Sequence, residues 1–257
     1  MRGITIMLLP TPKTPVKKPS GFIIYRGPSL LNGAPIVAVA ITKSSNAKTG
    51  NMVQTYILAD NGRSPLDNAR SLADAAICGD CKHRRGIGGA CYVNLGQGPR
   101  AVADGILRGI YPVGLQAAAE LSAGRMVRLG TYGDPAAVPA YIWQQLVSKA
   151  AGSTGYSHQW QSGKAAADIM ALCMASTDNA IERAAALAMG YRTFRVRAAN
   201  EPLEAGEFIC PASEEAGKAK TCADCGACNG GVNTRKASPA IVVHGSLKTR
   251  FIPIQSI

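Results

Sequence analysis

The sequence predicts an α/β fold: a complete or partial β/α barrel carrying an N-terminal antiparallel sheet and a cysteine-rich insertion. Three observations predict it. From residue 97 onward, β-branched runs alternate with helical patterns of about ten to fifteen residues, as right-handed crossovers between parallel strands require. Before residue 61, three β-branched runs follow one another with only turn residues and polar loops between them. Seven of the eight cysteines fall into two tight groups. An open doubly wound sheet is the alternative architecture.

Residues 1–20 are rich in Pro and Lys without apolar periodicity and read as a flexible basic arm. Gly21–Gly27, Ala34–Thr42 and Met52–Asp60 read as strands, with the polar loop Lys43–Asn51 between the last two. That loop is either a plain connection or, through Lys48, a phosphate contact. Residues 65–76 read as a short helix delivering the chain to the first cysteines, which completes an N-terminal unit over 21–96. The barrel-like body then runs over 97–257. Gly98–Ile110 and Gly114–Gly124 read as helices, Met126–Asp134 as a strand, Ala136–Gly152 as one helix and Ser153–Trp160 as a polar-faced strand. Gln161–Asp168 connects to a strand over Ile169–Thr177, a helix over Asp178–Gly190 and a strand over Tyr191–Ala198. Gly206–Ala212 and Pro239–Gly245 complete the set.

Composition narrows the function classes. The formal net charge is +12, a field that favours polyanions, nucleic acid first and acidic membrane surfaces second. A basic protein with no such partner is the plainer reading. No segment approaches the roughly 18–20 apolar residues of a membrane span, and the start lacks a convincing small-residue cleavage site. A cytoplasmic chain without a membrane partner is therefore expected. Neither a glycine-rich dinucleotide fingerprint nor a GxxxxGK[ST] phosphate loop is present, which sets aside the common NAD and ATP chemistries.

The first cysteine group is Cys78, Cys81 and Cys91, spaced C-x2-C-x9-C with His83 inside. The second is Cys210, Cys222, Cys225 and Cys228, spaced C-x11-C-x2-C-x2-C. A two-residue gap lets one backbone turn direct two sulfurs at a single ion, while nearby amides donate to the thiolates. The insertion is thus expected to bind metal, with paired disulfides as the competing reading. Four thiolates are a full set for tetrahedral zinc or for a 4Fe-4S iron–sulfur cluster. Three are one short. His83 or His244 would close that set into a structural site, whereas a vacancy is what catalysis needs. Cys173, on an apolar run, reads as core.

Side chains just past the carboxyl ends of barrel strands line an active face, and Asp134, His158, Ser176 and Asp178 fit that place. Asp134 and Asp178 also read as helix caps, and His158 as a satisfied core histidine. Strand alternation would turn Tyr156, His158 and Trp160 to one side, a surface suited to base stacking. Arg84, in the run Lys82–Arg85, reads as solvated or phosphate-facing. Arg192, Arg195 and Arg197 line a phosphate track or pair with carboxylates such as Glu201 and Glu204.

The stretches KTGNMVQTYIL, ICGDC, ACYVNLGQGP, LGTYGDPAAVP, GYSHQW and TCADCGAC together resemble a family of poorly characterised, cysteine-rich proteins of phages and mobile elements. The likeness covers nearly the whole chain beyond residue 20. A second resemblance is to radical S-adenosylmethionine enzymes, partial β/α barrels whose three-cysteine loop follows the first strand. It implies a cluster on Cys78, Cys81 and Cys91, although the spacing differs from that family's C-x3-C-x2-C. It also implies S-adenosylmethionine held by the turn Tyr132, Gly133 and Asp134 with Ser176, and an auxiliary cluster on the second group. A third is to the tRNA- and DNA-guanine transglycosylases, which implies zinc on Cys222, Cys225, Cys228 and His244, with Asp134 at the glycosidic bond. The function expected is nucleic-acid or nucleotide modification of radical type, with base exchange or a non-catalytic zinc-stabilised nucleic-acid binder as alternatives. Asp134, His158 and Asp178 would be catalytic, and Tyr156, Trp160, Lys48, Arg84, Arg192 and Arg195 would touch the nucleic acid.

Overall fold

The computed structural model describes residues 19–44, 46–231 and 236–252. The basic arm expected over 1–20 lies almost wholly outside the described residues. Strands β1 (Gly21–Pro28), β2 (Pro35–Ile41) and β3 (Val53–Ala59) form the expected antiparallel meander. Ile36–Ala40 of β2 is buried on both faces, as its unbroken apolar run requires.

After β3 the helix expected over 65–76 is two. α1 (Pro65–Arg70) starts on Ser64, whose Oγ accepts from the Asp67 amide at 3.2 Å. Leu72, at φ 62°, then breaks the path before α2 (Ala75–Cys78). α3 (Gly98–Leu107) and α4 (Leu115–Leu121) lead to β4 (Met126–Tyr132), which lies parallel beside β3 with Val53 opposite Val127. One sheet thus contains strands from both sides of the boundary expected at residue 96. β4 carries a bulge at Gly130 (φ 65°), where a Cβ would stand 2.5 Å from the Gly133 carbonyl oxygen.

The helix expected over 136–152 is also shorter. Pro139 has no N–H and biases Val138 away from the helical region, so a 3-10 turn (Pro135–Ala137) precedes α5 (Ala140–Val147). β5 (Gly152–Thr154) ends the first sheet, which has the order β1-β2-β3-β4-β5. Gly155 alone separates it from β6 (Tyr156–Ser157), the edge of a second, wholly parallel sheet. Here the expected strand over Ile169–Thr177 divides: its first half belongs to α6 (Ala167–Leu172), rich in Ala, Met and Leu, and Met174–Thr177 is strand β7. α7 (Ala180–Ala188), β8 (Thr193–Arg197), β9 (Glu207–Ile209), α8 (Cys222–Cys225) and β10 (Ser238–Val242) follow. The sheet order is β6-β7-β8-β10-β9, so β10 inserts between its two predecessors. The fold is mixed α/β with one mixed and one parallel sheet, and among the described residues no closed barrel forms.

A buried ionic latch links β8 to the edge strand β9. Arg195 donates from Nε and Nη2 to Glu207 at 3.0 and 2.7 Å, and Arg183 Nε lies 3.1 Å from the same carboxylate. Arg197 pairs with Glu215 and donates to the Glu201 carbonyl oxygen at 2.7 Å. Arg192 donates to Asn229 and to the carbonyls of Ala227, Gly230 and Ala237. The phosphate contacts expected of Arg192 and Arg195 are corrected accordingly. Buried guanidinium groups need partners, and the fold itself supplies them.

Candidate functional site: a cavity between two cysteine groups

All seven grouped cysteines line one cavity of about 180 Å³, and Cys173 does not. Residues from both sheets wall it, among them Arg128, Thr154, Tyr156, Ser176, Phe194 and Ile241. Cys173 is buried elsewhere, as core.

Group one sits in the loop after α2. Gly79 (φ 53°) ends that helix, and a Cβ there would stand 2.4 Å from Gln159 Oε1. Glycine thus lets the Gln159 amide reach the loop, donating to the Cys78 carbonyl oxygen at 3.1 Å and accepting from the Asp80 amide at 3.3 Å. The Cys91 amide donates to the His83 carbonyl oxygen at 2.9 Å and closes the loop. The Arg84 amide donates to the Cys81 carbonyl oxygen at 3.2 Å, and the amides of His83 and Arg84 near the Cys81 sulfur, like that of Val93 near Cys91, favour the thiolate.

Group two is built on α8, which is capped by Thr221 Oγ1 and ended by Gly226 at φ 60°. Residues three apart on one helical turn share a face, which brings Cys222 and Cys225 together. The turn docks on the loop entering β3: the amides of Cys222 and Ala223 donate to the carbonyls of Lys48 and Thr49 at 2.9 and 3.2 Å. The Ala212 amide donates to Cys210 sulfur, and the Tyr156 hydroxyl donates to Cys228.

All eight cysteines are free. Burial, reinforced by neighbouring thiols, pushes Cys78 well above the ordinary thiol value; burial pushes Cys81 to about 12 and Cys91 to about 11. Cys228 is pushed to about 12, again chiefly by burial. A bound cation reverses that balance, because coordination deprotonates a thiol. Among the described residues, no three Cys, His, Asp or Glu side chains converge closely enough to hold one metal ion as they stand. The donor chemistry fits a thiophilic metal or cluster; a ready-made single-ion cage is not formed.

Asp134 follows β4, as expected, and lines the cavity, but its oxygens are committed. Oδ1 accepts from the Ala136 amide at 3.0 Å and Ser157 Oγ at 2.8 Å, and Oδ2 accepts from the His158 amide at 2.7 Å. The cap that the sequence allowed is therefore present, and it ties the β4 exit to the β6 exit. Burial raises the Asp134 carboxyl despite these donors. Asp134→Ala should cost about 3 kcal/mol, from one lost cap and two orphaned partners. Urea unfolding checks this, and a loss under 1 kcal/mol would contradict the tie.

Asp178 is not the cap of α7; Asn179 is, accepting from the Glu182 amide at 2.8 Å. Asp178 is instead buried beneath group one, with Oδ2 2.8 Å from His83 Nε2 and 3.1 Å from Lys82 Nζ. Lys82 also reaches Glu182 at 2.7 Å. Burial alone would raise the Asp178 carboxyl, but His83, His158 and Lys82 outweigh it and hold the group at about 2. A depressed carboxyl supplies stability above the ordinary range near pH 4 and loses it as the pH falls through the folded value. On the order of 2 kcal/mol should vanish across that window. Circular dichroism during acid titration should show the loss in the native chain and not in Asp178→Asn; superimposable curves would refute it.

The remaining expected residues divide. Tyr132, Gly133, Ser176, Tyr156, His158 and Lys48 line the cavity. Trp160 does not: β6 ends at Ser157, the strand alternation stops, and the indole is buried, donating to the Ser176 carbonyl oxygen at 2.8 Å. Arg84 is committed to Asp74 at 2.6 Å, so its expected phosphate role is corrected too. Both ring nitrogens of His244 are engaged, Nδ1 with the Val242 carbonyl oxygen at 3.3 Å and Nε2 with Lys48 Nζ at 3.4 Å. Sequence reasoning missed Arg128, although a lone arginine within the apolar strand MVRLGTY was the available signal.

Compared with protein-family models, curated proteins and solved structures, the chain matches none. Among the described residues no helix is long and apolar enough to cross a membrane.

Proposed function

We propose that this chain is a metal- or iron–sulfur-cluster-dependent enzyme that modifies nucleic acid or a nucleotide, of the radical S-adenosylmethionine type. In this reading the parallel strands wrap the cavity as a partial β/α barrel. The observation that carries the proposal is the meeting of all seven grouped cysteines with the strand-end residues Asp134, His158 and Ser176 around one cavity. Cys78, Cys81 and Cys91 would hold the reactive group, and Cys210, Cys222, Cys225 and Cys228 the auxiliary one. A four-iron cluster bound there would supply one-electron chemistry, with Cys78, Cys81 and Cys91 as the residues that hold it. Amides near the sulfurs favour the thiolate form that such binding needs.

The chain's own side chains would do the rest. Tyr132, Gly133 and Ser176 border the space beside group one, where S-adenosylmethionine would lie. Asp134 fixes the turn that carries Gly133 and is a positioning residue through the His158 amide. His158 faces the cavity, and Asp178 holds His83 and Lys82 against the loop. The net charge of +12 favours a phosphate-bearing substrate. A reducing, cytoplasmic compartment suits eight free thiols.

Anaerobic purification with metal analysis tests the proposal. Brown protein with about four or eight irons per chain, retaining S-adenosylmethionine, is the expected result. Colourless protein with one or two zincs, and no iron after reconstitution, would replace it with a zinc-stabilised binder.

A further inference from the structure

Beside the main cavity lies a second of about 230 Å³, and the two share Lys48, Tyr92, Val93, Arg128 and Thr131. Arg128 is only 8% exposed. Its Nη2 donates to the Tyr92 hydroxyl at 3.0 Å, and its guanidinium carbon lies 5.1 Å from the Tyr156 ring centroid. Among the described residues no carboxylate pairs with it, whereas Arg84, Arg195 and Arg197 each face one. A buried guanidinium that faces no carboxylate is costly, and with only the group-two cysteines Cys222 and Cys228 near it the position favours a further anion.

The side pocket has the groups to complete such a site. Its lining contains no Asp or Glu. Lys48 borders it with an ammonium whose nearest partner is the His244 ring rather than an acid. α3, ten residues long, begins at its rim at Gly98 with no side-chain cap on its first turn. Helix amino ends with free N–H groups favour anions; Pro99 has none and the Ala101 amide is taken by the Gln97 carbonyl oxygen, which leaves the amides of Gly98 and Arg100. Gly98 is needed there, because a Cβ would stand 2.7 Å from the Tyr56 hydroxyl, which shares the lining.

We propose that this side pocket binds the phosphate monoester of a nucleotide, with Arg128 and Lys48 supplying the counter-charge and the first turn of α3 the oriented amides. The inference deepens the functional reading by naming a phosphate-first substrate, and it rests on that reading only for what happens next in the main cavity. Since both cations are shared, a phosphate held here would leave the rest of the nucleotide to extend past Tyr92 toward Tyr156 and the cysteine groups.

Calorimetric titration of the full chain tests it, using inorganic phosphate, adenosine and guanosine 5′-monophosphates, the matching nucleosides, and a short oligonucleotide with and without its 5′-phosphate. A monophosphate should bind at least about tenfold more tightly than its nucleoside, and inorganic phosphate should compete with it. Lys48→Gln, an exposed position expected to melt with the native chain, should weaken the monophosphate by about tenfold and leave the nucleoside unchanged. Arg128→Lys should weaken it further, since a point charge does not reproduce a guanidinium fork. Preference for the 5′-phosphorylated oligonucleotide over free monophosphate would identify a strand end as the source of the phosphate; the reverse order would identify a free nucleotide. Equal affinity for monophosphate and nucleoside, or an unaltered affinity in Lys48→Gln, would overturn the proposal. Binding is read without turnover, so an iron-free chain that still takes phosphate removes only the cluster reading. A cluster-loaded chain indifferent to phosphate removes only this one.

Discussion

Glu207→Ala is expected to lose about 3–5 kcal/mol of stability, the cost of leaving buried cations unpaired. The Glu207 side chain is fully buried, the Arg195 side chain is 1% exposed, and Arg183 joins them from α7. Glu207 further accepts from the Glu204 amide at 2.9 Å, so its removal also frees the connection before β9. Glu207→Gln should be milder, because an amide oxygen still accepts, while its NH₂ opposes one guanidinium. By contrast, Arg100→Ala breaks an exposed pair with Asp104 and should cost under about 0.5 kcal/mol. Urea unfolding of the three variants measures the contrast. Similar losses for Glu207→Ala and Arg100→Ala would show that the latch is not where this edge gets its stability.

The second large effect concerns the cysteines. Cys225→Ser should abolish retention of metal at group two, whereas Cys173→Ser should leave metal content unchanged. A ligand present at about a thousand times its dissociation constant adds about 4 kcal/mol to the folded state. For a chain of this size that is a fall of roughly 10 °C or more in melting temperature when the metal is stripped. Melting before and after chelation, with metal counted in each sample, reads the effect. An unchanged melting point in chelator, together with equal metal in Cys225→Ser and the native chain, would remove the metal assignment.

Much of the topology was legible because apolar spacing reports it directly. β2 carries an unbroken apolar run and β1 and β3 the shorter runs FIIY and YILA, and the parallel pairings follow from strands separated by helical segments. The failures have local causes. Pro139 split one helix, and Leu72 in the left-handed region split another. Met and Ala made Ile169–Leu172 helical where apolarity alone suggested strand. The site was legible at its cysteines, whose spacing is local. It was illegible wherever partners are distant in sequence: no pattern links Arg195 to Glu207, Asp178 to His83, or Gln159 to Gly79. Asp178 shows the ambiguity well. An acid before a helix looks like a cap until Asn179 is seen to take that role, which leaves Asp178 to hold the loop of group one.

The pairing of Lys82 with Glu182 and of Lys48 with Cys222 has a consequence for biosynthesis. The peptide emerges from the ribosome amino end first, so the earliest thiols appear long before the segments that brace them. Until residue 182 is made, the loop bearing Cys81 lacks the acids that fasten it. Until residues 222 and 223 are made, the floor formed by residues 48 and 49 stays uncovered. An inorganic group bound between the two cysteine groups would therefore meet its whole scaffold only after the second group has been made.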